Sequence, residues 1–373
     1  MEPYRISEQS CALPSACSST PVNMLSYPDK SCYRTIYSGA QAQLSLQADE
    51  IGKQSIWHLS QQFNELRLEW REAHSKSPER PTMATFLAAL EAAFTHFPHQ
   101  TKIFVSVPKQ LIAESYDSGV LVKTSDGSFI VHAELFWQQA RVWHTGTRPQ
   151  AYPLYLVISH GRRHPLRPPK PAGTVYRRFI AWLGRTLSFR TVDIDSDLVR
   201  FNRWMNDPVV AAFWQETGDL AQHRAYLEGI QADPHVISLI SCLDDEPFGY
   251  FEIYWAKENR IAPYYDVDDF DRGWHVLIGE SHFRGKPFVT AWLPSISHYL
   301  FLDDDRTQRI VIEPRSDNSK MLRNLAQCGY AHLKEFDFPH KRAMLGMLLR
   351  ERFFAERLWV PRNTLSPHSV SLS

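Results

Sequence analysis

Short β-rich segments alternate with amphipathic helical segments through the C-terminal half of the chain, and this alternation constrains the fold more than any other feature. Runs rich in β-branched and aromatic residues predict strands at residues 188–191, 237–242, 248–255, 273–279, 309–313 and 333–338. Apolar residues at helical spacing predict helices at residues 195–204, 220–230, 287–301, 319–328 and 340–353. Strands that alternate with helices predict an α/β fold, in which helices cover the faces of one sheet.

Composition divides the rest of the chain into segments. Residues 1–33 are rich in Ser, Pro and Cys and are interpreted as a loose N-terminal leader. Residues 34–158 form a first domain. Residues 159–187 are basic and rich in proline, which predicts a linker that is either a solvated connector or a source of positive charge for a phosphate site. Residues 188–360 form the second domain, and residues 361–373 are interpreted as a flexible tail.

The charge and cysteine content exclude several classes of function. Lys and Arg number 41 and Asp and Glu also number 41, so the balance predicts neither nucleic acid nor a membrane surface as a partner. No apolar run reaches the roughly 20 residues that span a bilayer, and the first ten residues do not resemble a signal peptide. The five cysteines lack paired metal-ligand spacing. We therefore expect a cytoplasmic protein with reduced thiols and no metal site.

The strongest candidate for a binding site is the unit formed by the strand at 273–279, the turn after it and the helix at 287–301. The strand carries His275 and ends at Ile278 and Gly279, and the turn contains Arg284, Gly285 and Lys286. Free N–H groups and the dipole at a helix N-terminus favour a phosphate group. The sequence therefore predicts an anion site here, although many strand–turn–helix units bind nothing.

Two further segments complete the candidate site. Residues 313–318 read Glu-Pro-Arg-Ser-Asp-Asn and lead from a strand into a helix, for which Asn318 is a suitable N-cap. Residues 338–342 carry three side chains that can be cationic, those of His340, Lys341 and Arg342. A capping role alone would also explain Asn318.

The order of these segments resembles the GNAT acyltransferase superfamily, and five motifs resemble its siderophore-biosynthesis members in particular. These are the hydroxylysine acetyltransferases of aerobactin-type pathways and their hydroxyornithine and mycobactin-type relatives. The motifs are RHPLRPPKP at 163–171, WMNDP at 204–208, FWQE at 213–216, GWHVLIG at 273–279 and FPHKRA at 338–343. The resemblance covers about residues 160–355. It implies a GNAT fold at 188–360, a mixed and mostly antiparallel sheet with flanking helices, preceded by a degenerate, non-catalytic GNAT-like domain at 34–158.

The resemblance also implies roles for individual residues. His275 matches the strand histidine proposed as general base in relatives, and Glu252 is a second candidate base. Arg284, Gly285 and Lys286 match the pyrophosphate turn, although the superfamily usually has two glycines there. The remaining acyl-CoA contacts are expected from Ile278, Gly279 and Asn318. Mycobactin-type relatives carry an acid where this chain has Arg315, and the acid that lies nearby in the sequence is Asp317; whether it is the partner of His275 stays open.

The implied reaction transfers an acetyl group from acetyl-CoA, or a related acyl group, to the hydroxylamine nitrogen of an N-hydroxylated lysine-like amine and yields a hydroxamate. Backbone N–H groups of residues 251–255 are expected to hold the oxyanion of the thioester. Trp214 and Trp274 are expected to line the alkyl chain, although tryptophans at such positions are more often core residues. Three cationic side chains are expected to meet a substrate carboxylate: Arg315, His340 and Lys341.

Several alternatives stay open at this point. The acceptor can equally be N-hydroxyornithine, an N-hydroxy diamine or an ordinary amine, and the donor acetyl-CoA, succinyl-CoA or a longer acyl-CoA. The single glycine of the turn and Arg315 also fit a catalytically inactive acyl-CoA-binding partner. Other enzymes of a siderophore pathway are expected as partners.

Overall fold

The computed structural model describes residues 23–48, 54–71, 80–146 and 151–362, and within these residues it contains two eight-stranded sheets with the same strand order. In each sheet the strands follow their order in the sequence, except that the last two exchange places at the edge. Neighbouring strands are antiparallel apart from the fifth and sixth of each sheet, which are parallel. The two halves of the chain therefore repeat one topology.

The first sheet is built from the N-terminal half of the chain. Its strands are β1 (Asn23–Ser26), β2 (Tyr33–Ser38), β3 (Gln43–Ala48), β4 (Gln54–Gln62), β5 (Glu65–Trp70), β6 (Lys102–Ser106), β7 (Val122–Lys123) and β8 (Phe129–His132). Its helices are α1 (Met83–His96), α2 (Lys109–Asp117), α3 (Ala133–Phe136) and α4 (Ala140–Trp143). A hairpin of β9 (Leu156–Ser159) and β10 (Arg162–Pro165) follows and belongs to neither large sheet.

The second sheet carries the segments that the sequence analysis singled out. Its strands are β11 (Thr174–Ile180), β12 (Arg185–Thr191), β13 (Val236–Leu243), β14 (Glu246–Trp255), β15 (Arg272–Ile278), β16 (Arg309–Ile312), β17 (Ala331–Phe338) and β18 (Lys341–Leu349). Its helices are α5 (Ile194–Met205), α6 (Pro208–Trp214), α7 (Leu220–Ala232), α8 (Lys286–Asp303), α9 (Ser319–Gln327) and α10 (Arg350–Ala355). The α/β architecture predicted for this half is confirmed.

Acidic N-caps place the helices that border the site. The Asp207 carboxylate accepts from the backbone N–H groups of Val209 and Val210, and Pro208 stands at the first position of α6, where a missing N–H costs nothing. Asp219 and Gln222 form a capping box at the start of α7. These caps fix where α6 and α7 begin, and α6 carries Trp214 to the site.

One continuous hydrophobic core joins the two sheets. At its centre Trp137 stacks on Trp143 of its own half, with ring centroids 4.4 Å apart, and on Trp359 of the other half at 5.1 Å. The buried His298 of α8 completes the contact, because its Nε2 lies 2.6 Å from the carbonyl oxygen of Trp137 and its Nδ1 lies 2.9 Å from the Tyr176 hydroxyl. The halves therefore pack as one folded unit.

The predicted linker at 159–187 is wrong, since this segment contains β10, β11 and the start of β12. Residues 174–180 form β11, the first strand of the second sheet, and the basic side chains that suggested solvent exposure are partly internal. Arg178 is buried, stacks on Trp137 at 4.7 Å and donates to the carbonyl of Trp359. The leader prediction is also too long, since β1 and the start of β2 lie within it; residues 1–22 and most of the predicted tail lie outside the described residues.

The final helix predicted at 340–353 is wrong. Lys341–Leu349 is instead β18, which pairs with β16 on one side and β17 on the other, and only Arg350–Ala355 is helical. Residues that favour helices are held in an extended conformation here because β18 pairs with β16 and β17. Gly346 packs closely against Ile312 of β16, since a Cβ at position 346 would lie 2.8 Å from Cγ1 of Ile312.

Candidate active site

The candidate site is a cleft of about 690 Å³ that opens where β15 and β16 separate. These parallel strands pair at two positions only, Arg272 with Ile310 and Gly273 with Val311. Beyond Gly273, β15 continues for five residues alongside β14 but no longer pairs with β16. The second half of β15 therefore presents a free backbone edge to the cleft.

The direction of the backbone groups on this edge follows from their partners. The carbonyl of Val276 accepts from Trp214 Nε1 at 3.1 Å, and the carbonyl of Ile278 accepts from Arg284 Nε at 2.9 Å. Both carbonyls therefore point away from β14. The N–H and C=O of one strand residue point to the same side, so the N–H of Val276 also faces the opening.

His275 lies between two glutamates. It stands directly opposite Glu252 on the neighbouring strand β14, and its Nδ1 is 3.2 Å from Glu252 Oε2. Its Nε2 is 2.6 Å from Oε1 of Glu313, which follows the last residue of β16. The His275 side chain keeps 22% of its surface exposed to the cleft, whereas that of Glu313 is fully buried.

Tyrosine hydroxyl groups hold both glutamates. Tyr226 and Tyr250 donate to Glu252 Oε1 at 2.5 and 2.9 Å, and Tyr254 donates to Glu313 Oε2 at 2.7 Å. Each carboxylate thus uses one oxygen for tyrosine and the other for His275. A buried charge needs such partners, because an unpaired carboxylate would be costly to desolvate.

The charge state of the triad follows from these contacts. Burial by itself lowers the pKa of His275, but the charge of Glu313 and hydrogen bonds to both glutamates outweigh it and raise the pKa to about 9. Burial raises the pKa of each glutamate, and His275 outweighs it, so that both pKa values lie below their ordinary range. At neutral pH the resting site therefore holds an imidazolium between two carboxylates, with a proton on each ring nitrogen.

The turn after β15 leads into the N-terminus of α8. Gly285 is the N-cap of α8 and has φ +126°, a conformation that L side chains rarely adopt, which explains why the single glycine stands here. Arg284 donates to the carbonyls of Ile278 and Gly279 at 2.9 and 3.2 Å, and its Nη2 is 3.4 Å from Asp207. The Arg284 side chain thus braces the turn against the end of β15 and the start of α6.

Several predicted residues meet in the cleft. Its lining includes Glu252, Trp214, His275, Arg315, Asn318, His340 and Lys341. Trp214 also contacts His275 edge-to-face, with ring centroids 6.4 Å apart. Asn318 caps α9, since its Oδ1 accepts from the N–H of Met321 at 3.1 Å. Five predicted acyl-CoA residues form the end of β15 and the adjoining turn, outside the cleft lining: Ile278, Gly279, Arg284, Gly285 and Lys286.

Two predictions are corrected by the geometry, those for Asp317 and for residues 251–255, and the position of Trp274 is refined. Asp317 does not contact His275: its exposed carboxylate pairs with Arg315 at 2.7 Å, and Glu313 holds the histidine instead. Trp274 borders the cleft as predicted, but its indole lies on the opposite face of the sheet from His275, where it is buried and donates to the Tyr330 hydroxyl at 2.9 Å. The open edge belongs to β15, because residues 251–255 of β14 are paired on both sides.

The sequence analysis missed Glu313 as the partner of His275 and missed all three tyrosines. One signal was present, namely the alternation Tyr250, Glu252 and Tyr254 in a strand that is otherwise apolar. Alternate residues of a strand point to one face, so this pattern predicts a polar stripe inside the sheet. Tyr226 carried no such signal, since it comes from a separate helix.

A second group has side chains of the types that bind metals. Among the described residues, His164, His235 and Glu258 each place a possible ligand atom within 4.8 Å of the others. Arg167 already engages both oxygens of Glu258 at 2.6 and 2.9 Å, and His164 Nδ1 lies 2.8 Å from the same carboxylate. The ion pair of Arg167 with Glu258 ties the segment after β10 to the segment that follows β14.

Residues 193–338 match the model of the acetyltransferase (GNAT) domain. The chain is 45% identical over 230 residues to N(6)-hydroxylysine O-acetyltransferase of Escherichia coli, an alignment that covers 61% of this chain and 73% of that protein. It is 45% identical over 231 residues to a putative lysine N-acyltransferase of Schizosaccharomyces pombe, covering 62% and 69%. The chain belongs to this family of GNAT acyltransferases. It is also 42% identical over 318 residues to a hydroxyornithine transacylase of Ajellomyces capsulatus, covering 74% of this chain and 72% of that protein.

Membership confirms the predicted GNAT fold of the second sheet. The first sheet repeats the GNAT strand order but has only one 3-10 turn, Gly39–Gln41, between its second and third strands, where the second sheet has α5, α6 and α7. The predicted degenerate GNAT-like domain in the N-terminal half is therefore confirmed. Among the described residues, no helix combines the length and the apolar character that crossing a membrane requires.

Proposed function

We propose that this GNAT acyltransferase moves an acetyl or related acyl group from acyl-CoA to the hydroxylamine nitrogen of an N-hydroxylated lysine-like amine, and so forms a hydroxamate for siderophore biosynthesis. The observation that carries the proposal is the position of His275, held between Glu252 and Glu313 beside the free edge of β15. The names of the relatives, which act on hydroxylysine and hydroxyornithine, support this acceptor class.

The acyl-CoA thioester fits the opening between β15 and β16. We propose that the N–H of Val276 donates to the thioester oxygen, because it faces the opening and would stabilise the oxyanion as charge develops. The pyrophosphate would lie at the N-terminus of α8, where Gly285 shapes the turn and Lys286 adds positive charge. Arg284 would act indirectly, by holding the turn through Ile278 and Gly279.

Two protons move in the reaction, and the triad has a group for each. The attacking nitrogen must lose a proton when it bonds to the acyl carbon, and Glu252 Oε2, next to His275 Nδ1, can accept it. The departing CoA thiolate must gain a proton, and the imidazolium of His275 can supply it. Because His275 keeps its proton up to a pH of about 9, the imidazolium is available at neutral pH to protonate the thiolate.

The same geometry resets the site. After turnover Glu252 carries a proton and His275 lacks one, and the short distance between them allows the proton to return to the ring. Glu313 would stay ionised throughout and orient the ring from its buried side. This assignment replaces the general-base role predicted for His275 with that of a proton donor, and gives the base role to Glu252.

The triad suits a hydroxylamine better than an alkyl ammonium. A hydroxylamine is largely unprotonated near neutral pH, so a carboxylate is a sufficient base once the nitrogen has begun to bond to carbon. An alkyl ammonium would have to lose a proton before it could attack, and the protonated ring of His275 cannot take it.

We also place the reaction in the cytoplasm, among the other enzymes of the pathway, since the reduced thiols of Cys242 and Cys328 fit a reducing compartment.

The test is acyl transfer from acetyl-CoA to N6-hydroxylysine, N5-hydroxyornithine and lysine, read both as thiol release and as coloured iron–hydroxamate. We expect release and colour with a hydroxylated acceptor and neither with lysine. His275→Gln should lower kcat by roughly 10²–10⁴-fold. Release with lysine alone would overturn the hydroxamate assignment, and release with none of these acceptors would favour a catalytically inactive acyl-CoA-binding protein.

A further inference from the structure

A cluster of basic side chains forms the lip of the cleft beyond Glu313. Arg260, His340 and Lys341 gather around the buried ring of Phe338: the Arg260 guanidinium lies 5.5 Å from the ring centroid, the Lys341 ammonium 5.4 Å, and the His340 ring stacks at 5.5 Å. All three basic residues line the cleft. We call this group the Phe338 cluster.

The carboxylate beside the Phe338 cluster is already engaged. Glu313 gives one oxygen to His275 and the other to Tyr254, and Arg260 approaches the first of these at 3.5 Å. The ammonium of Lys341 donates to the main-chain carbonyl of Glu313 at 2.6 Å, which is a neutral acceptor. The imidazolium of His275, Arg260 and Lys341 together carry more positive charge than the single negative charge of Glu313.

The pKa values of Lys341 and His340 agree with this excess of positive charge. Burial lowers the pKa of Lys341, and repulsion from Arg260 and Arg315 lowers it further, against the attraction of Glu313. Burial and the neighbouring Arg260 and Lys341 likewise lower the pKa of His340. Cations that lower one another's pKa gain stability when an anion joins them.

Arg315, the other cation on this lip, is different. Its guanidinium makes two hydrogen bonds to the carboxylate of Asp317, at 3.0 and 2.7 Å. A carboxylate that arrived from a substrate would compete with a partner already in place. The charge available for a ligand therefore resides on Arg260 and Lys341.

We propose that the Phe338 cluster is a subsite for a carboxylate group carried by a substrate, with Arg260 and Lys341 as its main donors. The inference rests on the acyl transfer proposed above and narrows its substrates. The carboxylate has two sources: the α-carboxylate of an N-hydroxy amino acid acceptor, or the terminal carboxylate of a dicarboxylic acyl group such as succinyl. A hydroxylated diamine with an acetyl donor offers neither.

The position of the subsite fits a substrate that reaches from the reacting centre. Arg260 and His275 contact the same oxygen of Glu313, at 3.5 and 2.6 Å, so the guanidinium lies within two hydrogen-bond lengths of the imidazole. A chain of a few methylene groups between the reacting nitrogen and a carboxylate bridges a gap of this size. The guanidinium is also half exposed, at 49%, and so is accessible from the cleft.

The experiment compares Arg260→Gln and Lys341→Met with the native protein in four substrate combinations. N6-hydroxylysine and N-hydroxycadaverine serve as acceptors with and without a carboxylate, and succinyl-CoA and acetyl-CoA as the matching donors. We expect KM for the carboxylate-bearing partner to rise about 10- to 100-fold, with KM for its analogue unchanged. A change confined to N6-hydroxylysine assigns the subsite to the acceptor, and one confined to succinyl-CoA assigns it to the donor.

Arg342→Gln is the matched control. This residue adjoins Lys341 on β18 but points to the other face, is 62% exposed and pairs with Glu335 at 3.0 Å. Its loss should leave all four combinations unchanged. If Arg260→Gln and Lys341→Met changed KM equally in all four combinations, the subsite would be overturned. The two cations would then act only through their contacts with Glu313. If the native protein acylates none of the acceptors, the proposed function itself fails.

Discussion

The two glutamates beside His275 differ in how the protein surrounds them, and this difference separates their roles. Glu313 is fully enclosed and contacts Nε2 at 2.6 Å, so it keeps the ring protonated and oriented. Glu252 keeps 8% of its side chain exposed and makes the longer contact, 3.2 Å to Nδ1. A substrate nitrogen that enters the cleft can therefore separate His275 from Glu252 without disturbing Glu313.

This arrangement predicts a pH profile. If the imidazolium of His275 protonates the leaving thiolate, kcat/KM should fall as the pH rises through about 9, where the ring loses its proton. Glu313→Gln removes the charge that chiefly raises this pKa, so the falling limb should move to lower pH by about one to two units. Steady-state kinetics between pH 6 and 10 measure the shift.

Asp317→Asn is the control for this profile. It removes a carboxylate from the same segment, but one that is exposed and paired with Arg315, so the limb should stay in place. If the fall in kcat/KM came instead from titration of the acceptor's own amine, it would occur at the same pH in both variants. A rate that rises through pH 9, and moves with Glu313→Gln, would show that neutral His275 acts as a base after all.

At the scale of single residues, the sequence was informative where a role depends on one local segment. His275 and Glu252 are neighbours on adjacent strands, and both were predicted. Glu313 was missed because β15 and β16 are separated along the sequence and become neighbours only in the folded chain. The sequence also offered Asp317, four residues further on, as an alternative acid. Glu313 directly follows β16 and points into the sheet, whereas Asp317 lies in the turn that follows and reaches solvent.

Among the elements, the junction between β15 and α5 sets the shape of the acyl-CoA end of the site. Gly279 ends β15 against the indole of Trp204 on α5, and a Cβ there would lie 2.1 Å from the Trp204 ring. The indole in turn donates to Glu280 at 3.0 Å. The absence of a side chain at Gly279 therefore lets the helix, the strand end and the turn pack together.

Gly279→Ala should destabilise the protein by about 1–3 kcal/mol, because the added methyl group would collide with the buried ring of Trp204, which has no space to move away. Urea unfolding followed by circular dichroism measures the loss. Gly229→Ala is the matched control: that glycine lies inside α7 with open space around it, and alanine should stabilise the helix by about 0.5–1 kcal/mol. Equal midpoints for Gly279→Ala and the native protein would contradict the close packing.

The predicted elements failed where long-range pairing overrides local preference. Residues 341–349 include Ala, Met and Leu, which favour helices, yet strands on both sides hold them extended as β18. Residues 174–180 were assigned to a basic linker because charge was read as exposure, while the fold buries Arg178. Elements with regular apolar spacing and neighbours close in sequence, such as α5 and α7, were predicted well.

For the whole molecule, the repeated strand order raises the question of what the first half contributes. Its sheet lacks the helices that wall the cleft, and the cleft is lined by the second half alone. It does hold α8 from the side, through the contact of Trp137 with His298, and it accepts a hydrogen bond from Arg350 to Gln138 at 3.0 Å. Since α8 carries the proposed acyl-CoA turn at its N-terminus, we expect the first half to support the site indirectly.

The relation between the halves was the part least accessible from sequence. The motifs that identified the family lie in the second half, and the first was assigned a GNAT-like fold by resemblance alone. The contact between the halves depends on single residues from distant positions, among them Trp137, His298 and Trp359, which no periodicity connects. Only the folded chain shows that they form one core.

A substitution at the centre of this contact tests whether the two halves unfold together. Trp137 stacks on Trp143, Trp359 and the guanidinium of Arg178, so Trp137→Ala should lower the free energy of unfolding by about 3–5 kcal/mol. Because the core is continuous, amide hydrogen exchange should speed up in both sheets. Phe63→Ala, at a fully exposed turn between β4 and β5, should change neither. Faster exchange confined to the first sheet would mean that the second is stable by itself, and that the support inferred for α8 is not needed.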